Sequence, residues 1–409
     1  MLPRLAIVGG GPAGMMAAIR AAETLGDGSR VVLFDKNDRL GRKIYLTGKG
    51  RCNLTNRRDW AEFATHLYPD KGFLRFAFRA FSNDALIRFF EETLGVPTVT
   101  LQGSRVYPAS LVAGDVARAL ERKVKALGVE VRYGTAVASL AGLKDFGAVV
   151  VATGGLSYPV TGSTGDGYRF AREAGHTVTP TFPSETALLP RNYDPALPGM
   201  EMKNVGLHLY VDRSLVQSEQ GDFNFTPDGL ESGIAYHLSR RAVWALVNGQ
   251  RVDIVLDLKP ALSELQLADR IHRNISARLD SSRHARLDRA SFRPLMPESL
   301  ITPFLRANPG LTVDAIPAAL KAWQFQIAGY KGYERAVVTA GGVSLKEIIP
   351  RTMASRLRPG LFFCGEVLDL DGDTGGYNLQ IAFSTGALAG TSAAKYLRLT
   401  EVPPKAPES

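Results

Sequence analysis

Apolar residues along this chain gather into short unbroken runs toward both ends and into alternating patterns between them. Leu5-Ala6-Ile7-Val8 and Val31-Val32-Leu33-Phe34 are uninterrupted quartets, the pattern of strands covered on both faces. Between them Met15, Ala18, Ala22 and Leu25 recur at helical spacing. Ala148-Val149-Val150-Val151 and Gly360-Leu361-Phe362-Phe363-Cys364-Gly365-Glu366 predict two more strands, and a helix of small residues is predicted from Ile381 to Leu397. From Ser184 to Ala340 the texture differs. Pro180, Pro183, Pro190, Pro195 and Pro198 crowd its entrance, and Leu207–Val211 and Val252–Leu258 alternate as strands of a barrel or sandwich do. Leu262 to Leu320 is helical in pattern.

The junction between the first strand and the first helix reads Gly9-x-Gly11-x-x-Gly14, with Pro12 and Ala13 inside it. The second strand ends on Asp35, about twenty residues beyond Gly14. Gly9 permits the tight turn, Gly11 lets the backbone approach a pyrophosphate, and Gly14 lets helix and strand pack closely. Phosphates rest on N–H groups at the helix N-terminus, and Asp35 is placed to accept hydrogen bonds from ribose hydroxyls. Strand, glycine turn, helix, strand and acid in register predict a dinucleotide-binding fold.

After Asp35 the chain does not return quickly to a third strand. Lys36, Arg42 and Lys43 lead into a polar, glycine-rich loop holding Gly50, Arg51, Cys52 and Asn53, which suits a chain wrapped around an extended ligand. Ala152-Thr153-Gly154 follows the third apolar run. Gly365-Glu366 and then Gly376-Tyr377-Asn378-Leu379-Gln380 precede the last helix, an order that resembles the return segment of FAD-binding domains of the glutathione-reductase type, in which the helix N-terminus sets positive potential near the flavin. The site is therefore expected to draw on both ends of the chain.

Composition narrows the class. The 409 residues are 45% hydrophobic and 22% charged, which excludes a disordered chain, and the 41 glycines reflect in large part the turns just described. Cys52 and Cys364 are the two cysteines. They are too few for a four-cysteine zinc site or an iron–sulfur cluster, so no metal is expected, and they fit a cytoplasmic location. The uncharged stretch Leu5–Ile19 is glycine-rich and too short to span a bilayer, so no membrane segment is expected. The net charge is +9, concentrated at Arg270, Arg273, Arg278, Arg283, Arg286, Arg289 and Arg293. Such a row is able to track a phosphate backbone, or equally to form a solvated helix face with local ion pairs. Phe292 is the aromatic among these arginines, so no base-stacking platform is expected there.

The runs GRKIYLTGKGRCNLTN, VVATGGLSYPVTGSTGDGY and VTAGGVSLKEIIPRTMASRLRPGLFFCGEVLDLDGDTGGYNLQIAFSTGALAG, in that order, resemble bacterial flavoproteins of the bile-acid-inducible NAD(P)/FAD-dependent oxidoreductase (BaiN-like) type. The likeness extends from Leu5 to Leu397. It implies an α/β fold, with a glutathione-reductase-type FAD-binding Rossmann domain at 1–185 and 341–409. That domain would be split by a β-barrel at 186–261 and 321–340 and a small helical domain at 262–320. One non-covalent FAD is implied, held by Gly9, Gly11, Pro12, Ala13, Gly14, Asp35, Lys36, Arg42, Lys43, Gly50, Arg51, Cys52, Asn53, Ala152, Thr153, Gly154, Gly365, Glu366, Gly376, Tyr377, Asn378 and Gln380. The loop Phe223–Gly233, with Thr226, resembles the family's threonine–glycine loop toward substrate. Cys364 departs from the small apolar residue usual there and reads as a buried structural thiol.

No second glycine fingerprint with a following strand occurs in the middle of the chain, so NAD(P)H, the reductant the family implies, is expected to visit the flavin transiently. The family is linked to reduction of conjugated C=C bonds, in a uracil base of ribosomal RNA or a steroid enone, and to amine oxidation. Conjugate reduction needs a proton donor. Cys52 is the first candidate, a thiol of pKa about 8.5, although Lys43, Lys49 and Arg51 are expected to lower that value. Tyr377 and His237 are alternatives, the latter weighed against an ordinary helix-surface histidine. The expectation is thus an FAD-dependent oxidoreductase acting on a small molecule or on uridine in ribosomal RNA. Thr226, Arg278, Arg283 and Arg286 are its candidate substrate or RNA contacts. An FAD-dependent amine oxidase and a non-catalytic flavin-containing RNA-binding or electron-transfer protein are the rivals.

Overall fold

The computed structural model describes residues 2–279 and 289–401, and the chain divides into two units, Met1–Phe182 with Val337–Ser409, and Pro183–Ala336. In the first unit the apolar quartets form β1 (Leu5–Val8) and β2 (Val31–Phe34), joined through α1 (Pro12–Leu25), and every residue of both strands is buried. Pro12 opens α1 where its missing N–H costs nothing, and Gly26, at φ 72°, ends it in the left-handed region. α2 (Ala113–Ala126) leads into β3 (Glu130–Arg132), which runs parallel to β2. β4 (Ala148–Val151) lies parallel on the other side of β1.

The second unit is a closed antiparallel barrel. Its strands are β5 (Leu188–Pro190), β6 (Glu201–Val211), β7 (Ser214–Thr226), β8 (Gly229–Glu231), β9 (Val252–Asp257) and β10 (Trp323–Tyr330), in the order β5-β8-β7-β6-β9-β10 with β10 closing on β5. Of barrel and sandwich, the barrel forms. Phe225 anchors its core, with ring centroids 4.9 Å from Phe223, 5.7 Å from Phe325 and 6.0 Å from Trp323. The run Phe223–Gly233, expected as a loop, is instead the β7–β8 hairpin and the start of α3 (Gly233–Val247).

The helices between β9 and β10 fall in the same unit as the barrel. Lys321 supplies one reason: its ammonium donates to Asp257 at 2.7 Å and to the carbonyls of Lys259 and Leu262 at 3.1 and 2.8 Å. Phe304 supplies another, packing edge-on against Trp323 at 5.3 Å.

The chain then returns to finish the first sheet. β11 (Ile348–Ile349) and β12 (Ala354–Ser355) form an antiparallel edge, and β13 (Leu361–Phe363) slots in parallel beside β4. The closing helix α4 (Tyr377–Glu401) starts before the predicted Ile381 and brings Tyr377, Asn378 and Gln380 into its first turn. It lies against α1 at a distance that requires glycine. A Cβ at Gly386 would stand 2.4 Å from the carbonyl oxygen of Ala13, and one at Gly390 2.1 Å from that of Ala17. No described helix is long and apolar enough to cross a membrane.

Candidate functional site

A groove opens in the first unit where β1, β2 and β4 end. Gly9, Gly11, Pro12 and Ala13 form one wall. Gly9 holds φ 106° under the carbonyl of Ala152, where a Cβ would lie 2.4 Å from oxygen. Behind it a Cβ at Gly14 would lie 1.8 Å from the Gly9 oxygen, so Gly14 serves packing rather than the groove. At Gly11 the same atom would meet nothing within 4 Å. That open space fronts the N-terminus of α1, which has no side-chain cap and no acidic residue in its first turn. The positive end of the helix is left for an anion.

Asp35 ends β2 and is 9% exposed. Its Oδ2 accepts from Gly10 N at 2.8 Å, and its Oδ1 accepts from the backbone and side-chain nitrogens of Asn37 at 2.8 and 2.9 Å. The acid thus braces the glycine turn, and Asn37, which carries no sequence signal of its own, in turn accepts from Arg42 at 2.9 Å. Lys36 reaches Thr164 at 2.5 Å and Asp166 at 2.7 Å. Burial works to raise the Asp166 carboxyl, but Lys36, Thr164 and Arg169 together hold it below the usual carboxylate range.

Farther along, Lys43 donates to Glu366, which also accepts from Thr339 N at 2.8 Å and from Ser157 Oγ at 3.3 Å. Past that pair the lining turns apolar, with Ile44, Val338, Leu370, Leu379, Ile381 and Ala382. Asn378 enters from α4, whose first turn also lacks acidic residues, and clasps Gly372 by accepting from its N–H at 2.9 Å and donating to its carbonyl at 2.7 Å.

The groove therefore gathers Gly9, Gly11, Pro12, Ala13, Asp35, Lys36, Arg42, Lys43, Ala152, Thr153, Gly154, Glu366 and Asn378 from the expected set. It adds Thr161, Gly162 and Ser163, whose signal was the run of small and hydroxyl residues after Gly155. The other expected contacts lie outside the lining. Gly365 is fixed by packing, since a Cβ there would stand 2.7 Å from that of Ala13. Gly376 has the Thr55 backbone 2.4 Å from the same position. Gln380 is fully buried and donates to Phe81 O at 3.1 Å and Ser384 Oγ at 2.9 Å. Gly50 sits at φ 84°, Arg51 is exposed with its guanidinium over Tyr107, and Asn53 follows them in the same loop.

Cys52 departs from expectation. It is fully buried outside the groove lining, and burial pushes its thiol up to about 12, against a smaller opposing hydrogen bond with Thr47. The cations that neighbour it in sequence do not set its acidity. Cys364 is also fully buried, and its thiol is raised by the same cause. Tyr377 is buried with its ring stacked on His66 at 4.4 Å, and burial raises its hydroxyl although Arg58 opposes.

Beside it lies a dyad that the sequence does not reveal. His66 Nδ1 is 2.8 Å from Asp373 Oδ2, and its Nε2 is 2.9 Å from Arg58. A guanidinium only donates, so Nε2 accepts and Nδ1–H donates to the carboxylate. In the second unit His237 sits partly exposed on α3, 3.2 Å from Glu219, and Thr226 closes the β7–β8 turn by bonding Gly229 O at 3.2 Å and Glu231 at 3.1 Å. Arg283, Arg286 and the side chain of Arg278 lie outside the described residues. Among the described residues no group of three or more His, Cys, Asp or Glu is placed to hold a metal.

The groove fits an extended dinucleotide bearing a flat ring: a charged end, a helix terminus free for phosphate, and an apolar far end. In the groove lining, Thr153 Oγ1 is buried with no hydrogen-bond partner among the described residues. Such an atom costs about 1–3 kcal/mol unless a ligand satisfies it.

The family of HI0933-like protein Rossmann domains matches residues 3–392. The chain is 31% identical to the 3-dehydro-bile acid delta(4,6)-reductase of Clostridium scindens, over 96% of this chain and 99% of that protein. It is 30% identical to the ribosomal RNA dihydrouridine synthase of Escherichia coli, over 93% of this chain and 95% of that protein. Among solved structures, the 3-ketosteroid-delta4-(5alpha)-dehydrogenase of Rhodococcus jostii RHA1 matches 96% of each chain at 15% identity with a TM-score of 0.49.

Proposed function

The chain belongs to the HI0933-like Rossmann family and is an FAD-dependent oxidoreductase, and from that premise we propose that it uses NAD(P)H to reduce a conjugated C=C bond, with uridine in ribosomal RNA as substrate. One observation carries the reading. Two relatives matched over nearly the whole chain are named for different substrates but for one kind of bond change, saturation of a double bond. The net charge of +9 favours the polyanionic substrate over the steroid.

The residues present fit FAD. The α1 terminus at Gly11 would receive the pyrophosphate, Asp35 and Asn37 the adenosine side, and the apolar stretch from Ile44 to Ala382 the ring. The chemistry supplied by bound FAD is two-electron hydride transfer. Lys43 pairs with Glu366 in the groove wall, and the apolar lining keeps water from the reacting end. Cys52 Sγ and Tyr377 Oη keep their protons through the neutral range, as a donor must, but stand outside the groove lining.

Mapping dihydrouridine in ribosomal RNA from a deletion strain tests the substrate. Loss of a modified position supports the proposal, and an unchanged map removes it. Anaerobic mixing of the holoenzyme with NADPH tests the reductant: rapid bleaching is expected, whereas no bleaching together with amine-dependent peroxide would indicate an oxidase.

A further inference from the structure

The second unit carries a surface that the reaction above does not use. α3 contains no carboxylate, and Arg240, Trp244 and Val247 recur along it at the spacing of one helix face, with Arg241 adjoining. Trp244 is 45% exposed and Val247 53%. The turn joining β6 to β7 and the start of β7 lie beside them, with Leu215 56% and Val216 38% exposed in the strand and Arg213 at the surface in the turn.

Helix and hairpin are tied together. Arg241 donates to Val216 O at 3.3 Å, and Gln217 Nε2 donates to His237 O at 3.4 Å. The acids nearby are engaged: Asp212 accepts from Arg251 N at 3.0 Å and Gln250 Nε2 at 2.9 Å, and Glu219 faces His237. The face is therefore apolar at its centre and positive around it. Single exposed apolar residues are ordinary, but four large ones together with the exposed Arg213 and Arg241 mark an interaction site.

Resting on the reading that ribosomal RNA is the substrate, we propose that this face of α3 and the β6–β7 hairpin docks single-stranded RNA, with Trp244 stacking on a base and Arg213 and Arg241 meeting phosphates. An indole offers a plane on which any base stacks, and guanidinium groups pair with phosphates bidentately. The combination of aromatic and basic side chains missing between Arg270 and Arg293 is present here. Two other occupants fit less well. A second copy meeting this face about a two-fold axis would set arginines against arginines. A lipid surface would take a long apolar helix face, whereas α3 buries Ile234, Leu238, Ala242 and Val243 in its own unit.

The test uses the full-length holoprotein and deproteinised ribosomal RNA, with binding followed across salt concentration. Trp244→Ala is expected to weaken binding about tenfold, the loss of one stacked base, while Trp244→Phe restores most of it. Arg241→Ala is expected to flatten the salt dependence by about 0.7 in log–log slope, one phosphate contact on a single strand. FAD content and thermal midpoint in both Trp244 variants report that the fold is intact. Unchanged RNA affinity in Trp244→Ala overturns the proposal. So does a loss confined to self-association or to binding of phosphatidylglycerol vesicles. If the wild type makes dihydrouridine and Trp244→Ala does so with equal affinity for RNA, this proposal fails and the reductase reading stands. If RNA binds through Trp244 but no dihydrouridine forms, the reverse holds.

Discussion

Lys43 Nζ stands 2.7 and 3.0 Å from the two carboxylate oxygens of Glu366, a residue 323 positions away in the chain. The pair fastens the loop that follows β2 to the segment that returns after the barrel, at the place where the groove changes from polar to apolar. Both side chains are about one-fifth exposed. Lys43→Met leaves a largely buried carboxylate without its countercharge, a loss of about 1–3 kcal/mol for a partly buried pair. FAD titrated into apoprotein should then bind at least about tenfold more weakly, with Lys43→Arg close to wild type. Wild-type affinity in Lys43→Met would show that the pair holds the scaffold and not the cofactor.

Two glycines of one fingerprint should behave in opposite ways. Gly11→Ala adds a methyl into empty space at an ordinary φ of −74°, so the apoprotein should keep its thermal midpoint while FAD affinity falls. Gly14→Ala places the same methyl 1.8 Å from a backbone oxygen, and Gly390→Ala 2.1 Å from another. Each should cost about 1–3 kcal/mol of stability, seen in denaturant midpoints of the apoprotein. Equal loss of stability in Gly11→Ala would mean that the space before α1 is not open.

Burial of Cys52 sets an alkaline limit. The thiol has an ordinary value of 9.0 when exposed and about 12 in the folded chain, so above pH 9 the unfolded state releases a proton that the folded state keeps. Stability from this source is complete below pH 9 and drains away as pH rises toward 12. Cys364 acts in the same direction. Denaturant midpoints measured from pH 8 to 11 should fall, and Cys52→Ala should flatten that fall. A disulfide-exchange reagent at pH 8 should label neither thiol until the protein is unfolded. Prompt labelling of Cys52 in the native protein would contradict its placement.

His176 sets the acid counterpart. Its side chain is fully buried, with Nε2 2.7 Å from Ser355 Oγ and Nδ1 3.2 Å from Glu347. Burial lowers its proton affinity below the ordinary 6.5, although Glu347 works the other way. Below pH 6.5 the unfolded chain takes up a proton that the folded chain refuses, so stability present above that pH is lost on acidification. His176→Gln, able to keep a bond to Ser355, should shallow the decline in thermal midpoint between pH 6.5 and 5. An identical slope would remove His176 as its source.

The parts of the site that were legible in the sequence are those fixed by local backbone geometry. Gly9, Gly11, Gly14 and Asp35 announce themselves because a turn, a close approach and a strand end each demand one residue type at one spacing. The small residues of α4 were equally visible, and their cause, contact with the α1 backbone at Gly386 and Gly390, was not. What stayed hidden were the individual side-chain partnerships between distant segments. His66 meets Asp373 across a separation of 307 residues, and no local pattern marks either. The acidity of Cys52 was misjudged for a related reason, since neighbours in sequence are a poor guide to neighbours in space. Trp244 carries no sequence signal of its own, and its exposure shows only in the fold.

Because β13 and α4 come last in the chain, the sheet and the groove stay unfinished until the ribosome has passed them, while all the barrel strands from β5 to β10 have already emerged. The barrel is contiguous and closes on itself, so it is free to fold early. The first half of the nucleotide unit must wait, with β4 missing its neighbour β13 and the flank of α1 that α4 covers bare. The groove is therefore complete only after the barrel has emerged and α4 has followed it.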